Sequence, residues 1–152
     1  MAKLRHIAIT VPDPEKAAEF YERALGLKRV GTTDWEGARG VYLSDGVMNL
    51  ALLHYKKEHY AGRLGTNHVG VHHFGFLVED LGSVRQAIEA AGGEHWMGEP
   101  AEGGGFYEVK FHDPDGLVFD ITENGWAGSR KDEKTPVTPP PHHAAGDRRG
   151  AD

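Results

Sequence analysis

The chain opens with alternating polar and apolar residues, a pattern typical of a strand with one buried face. This run covers residues 4–11, Leu-Arg-His-Ile-Ala-Ile-Thr-Val. Residues 13–15, Asp-Pro-Glu, then predict a helix start, because Asp accepts from free helix amides and proline fits the first turn. Apolar residues at helical spacing continue to Gly26, which is expected to end the helix. Three strand candidates follow at about 27–33, 40–44 and 47–55.

The same order of elements recurs in the second half of the chain. His73 repeats the position of His6 at an offset of 67 residues, and Asp80 precedes a second apolar helix that ends at Gly92-Gly93. Strand candidates follow at 94–97, 106–112 and 117–122. Each half therefore reads β-α-β-β-β, and about 60 residues are too few to bury a stable core alone. We predict two paired modules, the first about 4–55, a linker 56–70, and the second about 71–126.

The last stretch of the chain lacks any periodic apolar pattern. Residues 129–152 are rich in proline and charge, and include the adjacent His142 and His143. Such a segment cannot bury enough apolar surface to offset the entropy of ordering it. The sequence therefore predicts a single domain over residues 1–128 and a disordered tail over 129–152, with both tail histidines solvated.

Composition narrows the classes of function. The 152 residues carry 23 Asp+Glu against 17 Lys+Arg, a formal net charge of −6, which disfavours nucleic-acid binding. No apolar run approaches the ~20 residues needed to span a bilayer. The beginning lacks a signal-peptide pattern, so we expect a cytoplasmic protein without membrane contact. The absence of cysteine excludes disulfides, Cys-ligated zinc and a thiol nucleophile.

Ten histidines stand out against this background, and strand alternation decides where two of them point. His6 and His73 are expected on the strand faces opposite the helices, and Asp120 on the equivalent face of the last strand. Two imidazoles and one carboxylate form a familiar ligand set for a divalent ion and leave positions open for substrate. The alternative is that the histidines only cap strand starts; the repeat register favours the metal site. Glu123 is a nearby carboxylate, but we expect it on the opposite face.

Three motifs carry a family resemblance. His6-Ile-Ala-Ile-x-Val-x-Asp, His73-Phe-Gly-Phe-x-Val-x-Asp and the Asp113-Pro-Asp-Gly turn before Asp120 resemble the vicinal oxygen chelate superfamily over roughly residues 4–126. This superfamily includes glyoxalases, extradiol dioxygenases, fosfomycin-resistance transferases and bleomycin-binding proteins. The resemblance implies an α+β fold, with two paired βαβββ modules forming a U-shaped mixed sheet around a metal site. It also implies that His6, His73 and Asp120 are the ligands, with Asp where the family usually has Glu. A small-molecule substrate and a homodimer are further implications.

The resemblance leaves several chemistries open. Glyoxalase-type lyases carry a fourth ligand on the closing strand of the first module, where this chain offers only Asn49 and His54. The acidic segment 98–105 disfavours the fosfomycin class. Three ligands match ring-cleaving dioxygenases best, so Fe(II) is the favoured metal, with Mn, Ni, Co or Zn as alternatives. Tyr107 and His54 are the candidate catalytic residues. A glyoxalase-like lyase or isomerase, and a non-catalytic antibiotic-binding protein of the bleomycin-resistance kind, remain the alternatives.

The remaining conspicuous residues, a histidine, three tryptophans and a run of glycines, are assigned structural roles first. His72 should point away from His73 and lie at the core edge or the surface. Trp35, Trp96 and Trp126 are expected to be packing residues rather than platforms for a ligand. The glycines at 103–105 predict either a lid over the site or a plain turn, and the sequence leaves both open.

Overall fold

The computed structural model describes residues 1–100, 102–103 and 105–131 of the chain. Residues 132–152, most of the predicted tail, lie outside the described residues, as does position 104 of the predicted lid or turn. The start of the predicted tail packs against the domain. Ser129 is buried, and the Arg130 amide donates to the carbonyl of Val47. The packed chain therefore continues at least to Arg130, beyond the boundary predicted at residue 128.

The first module has one helix and four strands in the predicted order. Its elements are β1 (Lys3–Thr10), α1 (Pro14–Leu25), β2 (Lys28–Asp34), β3 (Ala38–Ser44) and β4 (Asn49–Tyr55). Asp13 caps α1 as expected, since its carboxylate accepts hydrogen bonds from the amides of Glu15 and Lys16. Gly26 ends the helix in the left-handed region, with φ of 70°.

The second module repeats this plan after a short helical connection. The connection contains α2 (Glu58–Ala61) and a 3-10 turn (Gly62–Leu64) within the predicted linker. The module itself comprises β5 (Gly70–Leu77), α3 (Leu81–Ala90), β6 (Glu94–Met97), β7 (Val109–His112) and β8 (Val118–Thr122). The Asp113 carboxylate accepts from the amides of Asp115 and Leu117, which fixes the turn between β7 and β8.

The eight strands of the described residues form one mixed sheet. The strand order is β2-β3-β4-β1-β5-β8-β7-β6, so each module contributes four neighbouring strands. The first strand of each module lies at the centre, where β1 and β5 pair antiparallel, and each pairs in parallel with the last strand of its own module. The predicted α+β fold of paired βαβββ modules is therefore confirmed. Within the described part of the chain, no helix is both long and apolar enough to cross a membrane.

The two longer helices, α1 and α3, lie on the sheet face opposite the functional side chains. Helix α1 packs Ala18 against Val41, Leu43 and Leu52, and α3 forms a corresponding cluster over the second module. The other face carries a separate cluster that includes Ala8, and it also carries His6. Both helices thus cover the back of the sheet and leave its opposite face to enclose a cavity.

A β-bulge in β5 overturns one expectation. Ala8 pairs with His73, but the next residue, Ile9, pairs with Val71, so His72 has no partner in the register. Simple alternation fails at this point, and His72 and His73 are both buried. The prediction that His72 points away from His73 is wrong, because the extra residue turns the His72 ring toward its neighbour.

Candidate metal centre

Three predicted ligand residues converge at the centre of the sheet. His6 on β1, His73 on β5 and Asp120 on β8 are 2%, 3% and 0% exposed, and their ligand atoms lie within 4.8 Å of one another. The two Nε2 atoms are 3.3 Å apart, and His73 Nε2 is 3.3 Å from Asp120 Oδ2. They meet because β1 and β5 are central neighbours and β8 is the next strand, with Gly75 opposite both His6 and Asp120.

The protonation of His6 follows from a chain of hydrogen bonds. Asn49 lies opposite His6 in the β1–β4 register, and its Nδ2 donates to the carbonyl of Ala127 at 2.8 Å. Its Oδ1 therefore faces His6 and accepts from Nδ1–H at 2.8 Å. The lone pair of His6 is then on Nε2, the atom that faces His73. Asn49 thus orients His6.

The protonation of His73 is fixed by the bulge residue. His72 Nε2 donates to the carbonyl of Ala61 at 2.7 Å, so its Nδ1 is an acceptor. His73 Nδ1 lies 2.8 Å from that acceptor and must donate to it. The lone pair of His73 is consequently also on Nε2. Both rings present unprotonated nitrogens to the same point.

Burial keeps both rings neutral. Burial, with a smaller effect of His73, lowers the pKa of His6 to about 4. Burial likewise lowers the pKa of His73 well below its usual value. Two lone pairs at 3.3 Å cannot bond to each other, whereas a cation between them binds both. With metal–nitrogen bonds of about 2.0–2.1 Å, tetrahedral coordination gives a separation of about 3.3 Å between nitrogens.

The third ligand residue also has an open position. Asp120 Oδ1 is a buried side-chain oxygen without a hydrogen-bond partner among the described residues. A buried unpaired carboxylate oxygen is costly unless a cation binds it. Two neutral imidazoles and this carboxylate therefore suit a borderline divalent ion.

A lysine and a second carboxylate stand beside these ligands. Lys110 Nζ donates to Asp120 Oδ2 at 2.7 Å and lies 3.4 Å from Glu108 Oε2. Burial alone would lower the pKa of Lys110, but Asp120 and Glu108 raise it above its ordinary value, so the lysine is an ammonium. Glu108 Oε1 accepts from Trp126 Nε1, and the Trp126 ring stacks on His6 with centroids 4.7 Å apart.

These residues open into a cavity of about 190 Å³ on the sheet face opposite the helices. Its lining includes His6, His73, Glu108 and Lys110, with aromatic walls from Trp35, Tyr42, Tyr55 and Tyr60. A neighbouring cavity of about 630 Å³ shares Thr33, Tyr42 and Glu108 with the first. The two candidate histidine ligands thus have access to a space of small-molecule size.

The two predicted catalytic residues lie elsewhere. His54 alternates with Leu53 and Tyr55, which line the cavity, so its ring lies on the other face, where Nδ1 is 3.3 Å from the Val11 carbonyl. The Tyr107 hydroxyl donates to Glu123, whose other oxygen accepts from the Leu81 amide on the α3 side. The structure does not bring either residue to the candidate metal ligands, because strand alternation directs His54 to the other face, and Tyr107 precedes β7 and bonds to Glu123 on the α3 side. The same contacts put Glu123 on the face opposite Asp120.

The sequence did not predict four residues as part of the site: Lys110, Glu108, His72 and Trp126. The first two had a readable signal, because the Asp113-Pro-Asp-Gly turn sets a hairpin register that puts Lys110 directly opposite Asp120. Alternation then brings Glu108 to the same face as Lys110. No local pattern marks the bulge at His72 or the return of Trp126 onto His6.

Comparisons with a family model and with known proteins point to the same superfamily. The model of the Glyoxalase/Bleomycin resistance protein/Dioxygenase superfamily matches residues 3–121. An ethylmalonyl-CoA/methylmalonyl-CoA epimerase of Cereibacter sphaeroides is 35% identical over 121 residues, covering 75% of this chain and 90% of that protein. A probable chloroplastic lactoylglutathione lyase of Arabidopsis thaliana is 26% identical over 134 residues, or 81% of this chain. The chain spans only 36% of the plant protein's length.

Solved structures share the architecture. Methylmalonyl-CoA epimerase of Streptomyces coelicolor, in complex with 2-nitronate-propionyl-CoA, superimposes with a TM-score of 0.66 at 25% identity. The match covers 80% of this chain and 96% of the epimerase. Methylmalonyl-CoA epimerase of Mycobacterium tuberculosis has the same fold, with a TM-score of 0.64 at 21% identity over 78% of this chain and 85% of its own.

Proposed function

The chain belongs to the Glyoxalase/Bleomycin resistance protein/Dioxygenase superfamily, and we propose that it is a divalent-metal-dependent isomerase or lyase. His6, His73 and Asp120 are the proposed ligands, and a small molecule with vicinal oxygens is the proposed substrate. One observation carries the proposal: the lone pairs of His6 and His73 converge with the buried Asp120 carboxylate, one of whose oxygens has no partner among the described residues, and both histidines line a cavity.

Isomerase or lyase chemistry has better support than the dioxygenase expected from the ligand count. The named relatives are an epimerase, matched over most of its length, and a probable lyase. A dioxygenase of this kind would also need a histidine and a tyrosine beside the metal. His54 and Tyr107, the residues predicted for those roles, face away from the cavity.

A bound divalent ion would supply Lewis acidity, polarising a substrate carbonyl so that a proton on the adjacent carbon becomes acidic. Glu108 is the proposed base and acid: its carboxylate takes that proton and returns it to the same or the neighbouring carbon. The Trp126 indole N–H holds one Glu108 oxygen, so the other is directed toward Lys110 and the cavity. Leu53 and Tyr55 line the cavity and would reduce the water around a substrate bound there.

The test begins with the metal. Protein purified without chelator is expected to contain about one divalent ion per chain by elemental analysis, and His73→Ala is expected to lose it while remaining folded. A folded wild-type protein that takes up no divalent ion would contradict the proposal.

Turnover is the second part of the test. Methylmalonyl-CoA, ethylmalonyl-CoA and S-lactoylglutathione, chosen from the relatives' names, are offered in D₂O, and deuterium entry at the reacting carbon is followed by NMR. Glu108→Gln is expected to slow exchange by about 10²–10⁴-fold while metal content is retained. Glu123→Gln is the matched control, because its carboxylate contacts Leu81 and Tyr107 on the opposite face. Oxygen uptake with catechols, without such exchange, would instead favour the dioxygenase.

A further inference from the structure

Lys110 contacts the same carboxylate oxygen that faces the histidine pair. It is the cross-strand partner of Asp120 in the β7–β8 hairpin, and its Nζ donates to Oδ2 at 2.7 Å. That oxygen is also 3.3 Å from His73 Nε2. The Asp120 side chain is fully buried, and that of Lys110 is 16% exposed. The ammonium therefore neutralises the buried carboxylate.

An ammonium in this position opposes a second cation. A divalent ion held by His6, His73 and Asp120 would lie within a few ångströms of Lys110 Nζ, and like charges at such distances in a buried site repel strongly. Asp120 is the only anionic ligand of the three. Lys110 and the ion would therefore both be stabilised by the same negative charge, that of the Asp120 carboxylate.

Glu108 offers the ammonium a second partner. Its Oε2 lies 3.4 Å from Lys110 Nζ, and hydrogen bonding to Trp126 holds the other oxygen. A change in the lysine side-chain torsions moves Nζ from one carboxylate to the other without removing it from an ion pair. The lysine can thus release Asp120 at little electrostatic cost.

We propose that Lys110 is a built-in cation that competes with the metal ion for Asp120, and that metal binding transfers its ammonium to Glu108. The inference rests on the proposed function only in requiring that the site binds a divalent ion. Lys110 is a positioning residue. Without metal it holds Asp120 in place, and with metal it holds Glu108, the proposed base and acid. Metal occupancy and the environment of Glu108 are thereby linked.

Removing the charge of Lys110 should strengthen metal binding. Co²⁺ is titrated into metal-free protein and followed by its visible absorption, comparing the wild type with Lys110→Met. The variant is expected to bind Co²⁺ at least about tenfold more tightly, because the competing charge is gone. A residue that only supports the fold would leave affinity unchanged or reduce it. Lys110→Arg keeps the cation and is expected to remain within about threefold of the wild type.

Thermal unfolding gives a second readout, in which removing the charge of Lys110 is expected to weaken the metal-free protein although it strengthens metal binding. Metal-free Lys110→Met is expected to melt below the wild type, because Asp120 loses its partner, and to gain more from added Co²⁺. Lys110→Gln, whose amide still donates to Asp120, replaces the methionine variant if that fails to fold. Lys56→Met is the matched control, since Lys56 pairs with Asp34 at the surface, and should leave affinity unchanged.

The outcomes separate the two proposals. Equal or weaker Co²⁺ binding by the uncharged variants overturns the role of Lys110 and leaves the metal site intact. A wild type and variants that all bind no divalent ion overturn both.

Discussion

At the residue scale, the site depends on the hydrogen bonds that His6 and His73 make through Nδ1, the ring nitrogen that faces away from the other histidine. Asn49 accepts from His6 Nδ1, and His72 accepts from His73 Nδ1. Each partner is itself fixed by a backbone carbonyl, of Ala127 and Ala61 respectively. Such supporting hydrogen bonds fix tautomer and ring orientation, so the two lone pairs are preorganised before any ligand arrives.

Replacing His72 tests this support. His72→Phe keeps a buried ring but removes the acceptor for His73 Nδ1–H, so we expect metal affinity to fall by about 10–100-fold. Isothermal titration with Zn²⁺ measures the change. His112→Phe is the control, because His112 packs against Trp96 beside a different cavity. Unchanged affinity in His72→Phe would contradict the orienting role.

At the element scale, two irregular positions of the central strand β5 shape the site. The bulge at His72 brings two consecutive histidines of β5 into the interior. Gly75, two residues after His73 on the same strand, leaves room for Trp126: a Cβ there would lie 2.6 Å from the Trp126 ring and 3.2 Å from His6 Cβ. The indole can stack on His6 only because this strand position lacks a side chain.

Adding that side chain should therefore displace the indole. Gly75→Ala is expected to lower the free energy of unfolding by about 1–3 kcal/mol through overpacking, as measured by urea denaturation. The Trp126–Glu108 hydrogen bond should be lost with it, which changes the intrinsic fluorescence. Gly31→Ala is a milder strand control, since its Cβ would meet only Tyr42 at 3.3 Å. Equal stability and fluorescence in Gly75→Ala and the wild type would rule out this packing argument.

At the scale of the whole molecule, the site lies across the junction of the two modules. His6 comes from one module, and His73 and Asp120 come from the other, meeting where β1 pairs with β5. Neither module holds the full ligand set. The pairing that completes the sheet therefore also completes the site.

Separating the modules tests this dependence. Residues 1–65 and 66–152, produced as two chains, are each expected to lack cooperative unfolding, because each loses the central β1–β5 pairing and is too small for a stable core. Mixing them should restore the circular dichroism of the intact chain and its Zn²⁺ binding. A mixture containing His73→Ala in the second chain is the control, since it should assemble without metal. Full metal affinity in either part alone would contradict the prediction.

Much of this arrangement can be predicted from the sequence, because helix capping and strand alternation depend on residues that are close together in the chain. Asp13 and Asp80 mark the starts of α1 and α3, and Gly26 marks the end of α1. Strand alternation directed His6, His73 and Asp120 to one face, and the repeat indicated that they would meet. His54 and Tyr107 suit catalysis by residue type, but alternation along β4 places His54 on the other face, and Tyr107 bonds to Glu123 away from the cavity.

Local patterns along the chain are enough to predict the order of elements, the pairing of two similar modules and the three residues at their junction, because period and capping are local properties. The tertiary structure alone decided the surroundings of those residues. A bulge turned His72 toward His73, a returning segment stacked Trp126 on His6, and Glu108 came within reach of Lys110 beside Asp120. These contacts join residues through packing and strand register, which no local pattern encodes, and they decide how the site can hold and use a cation.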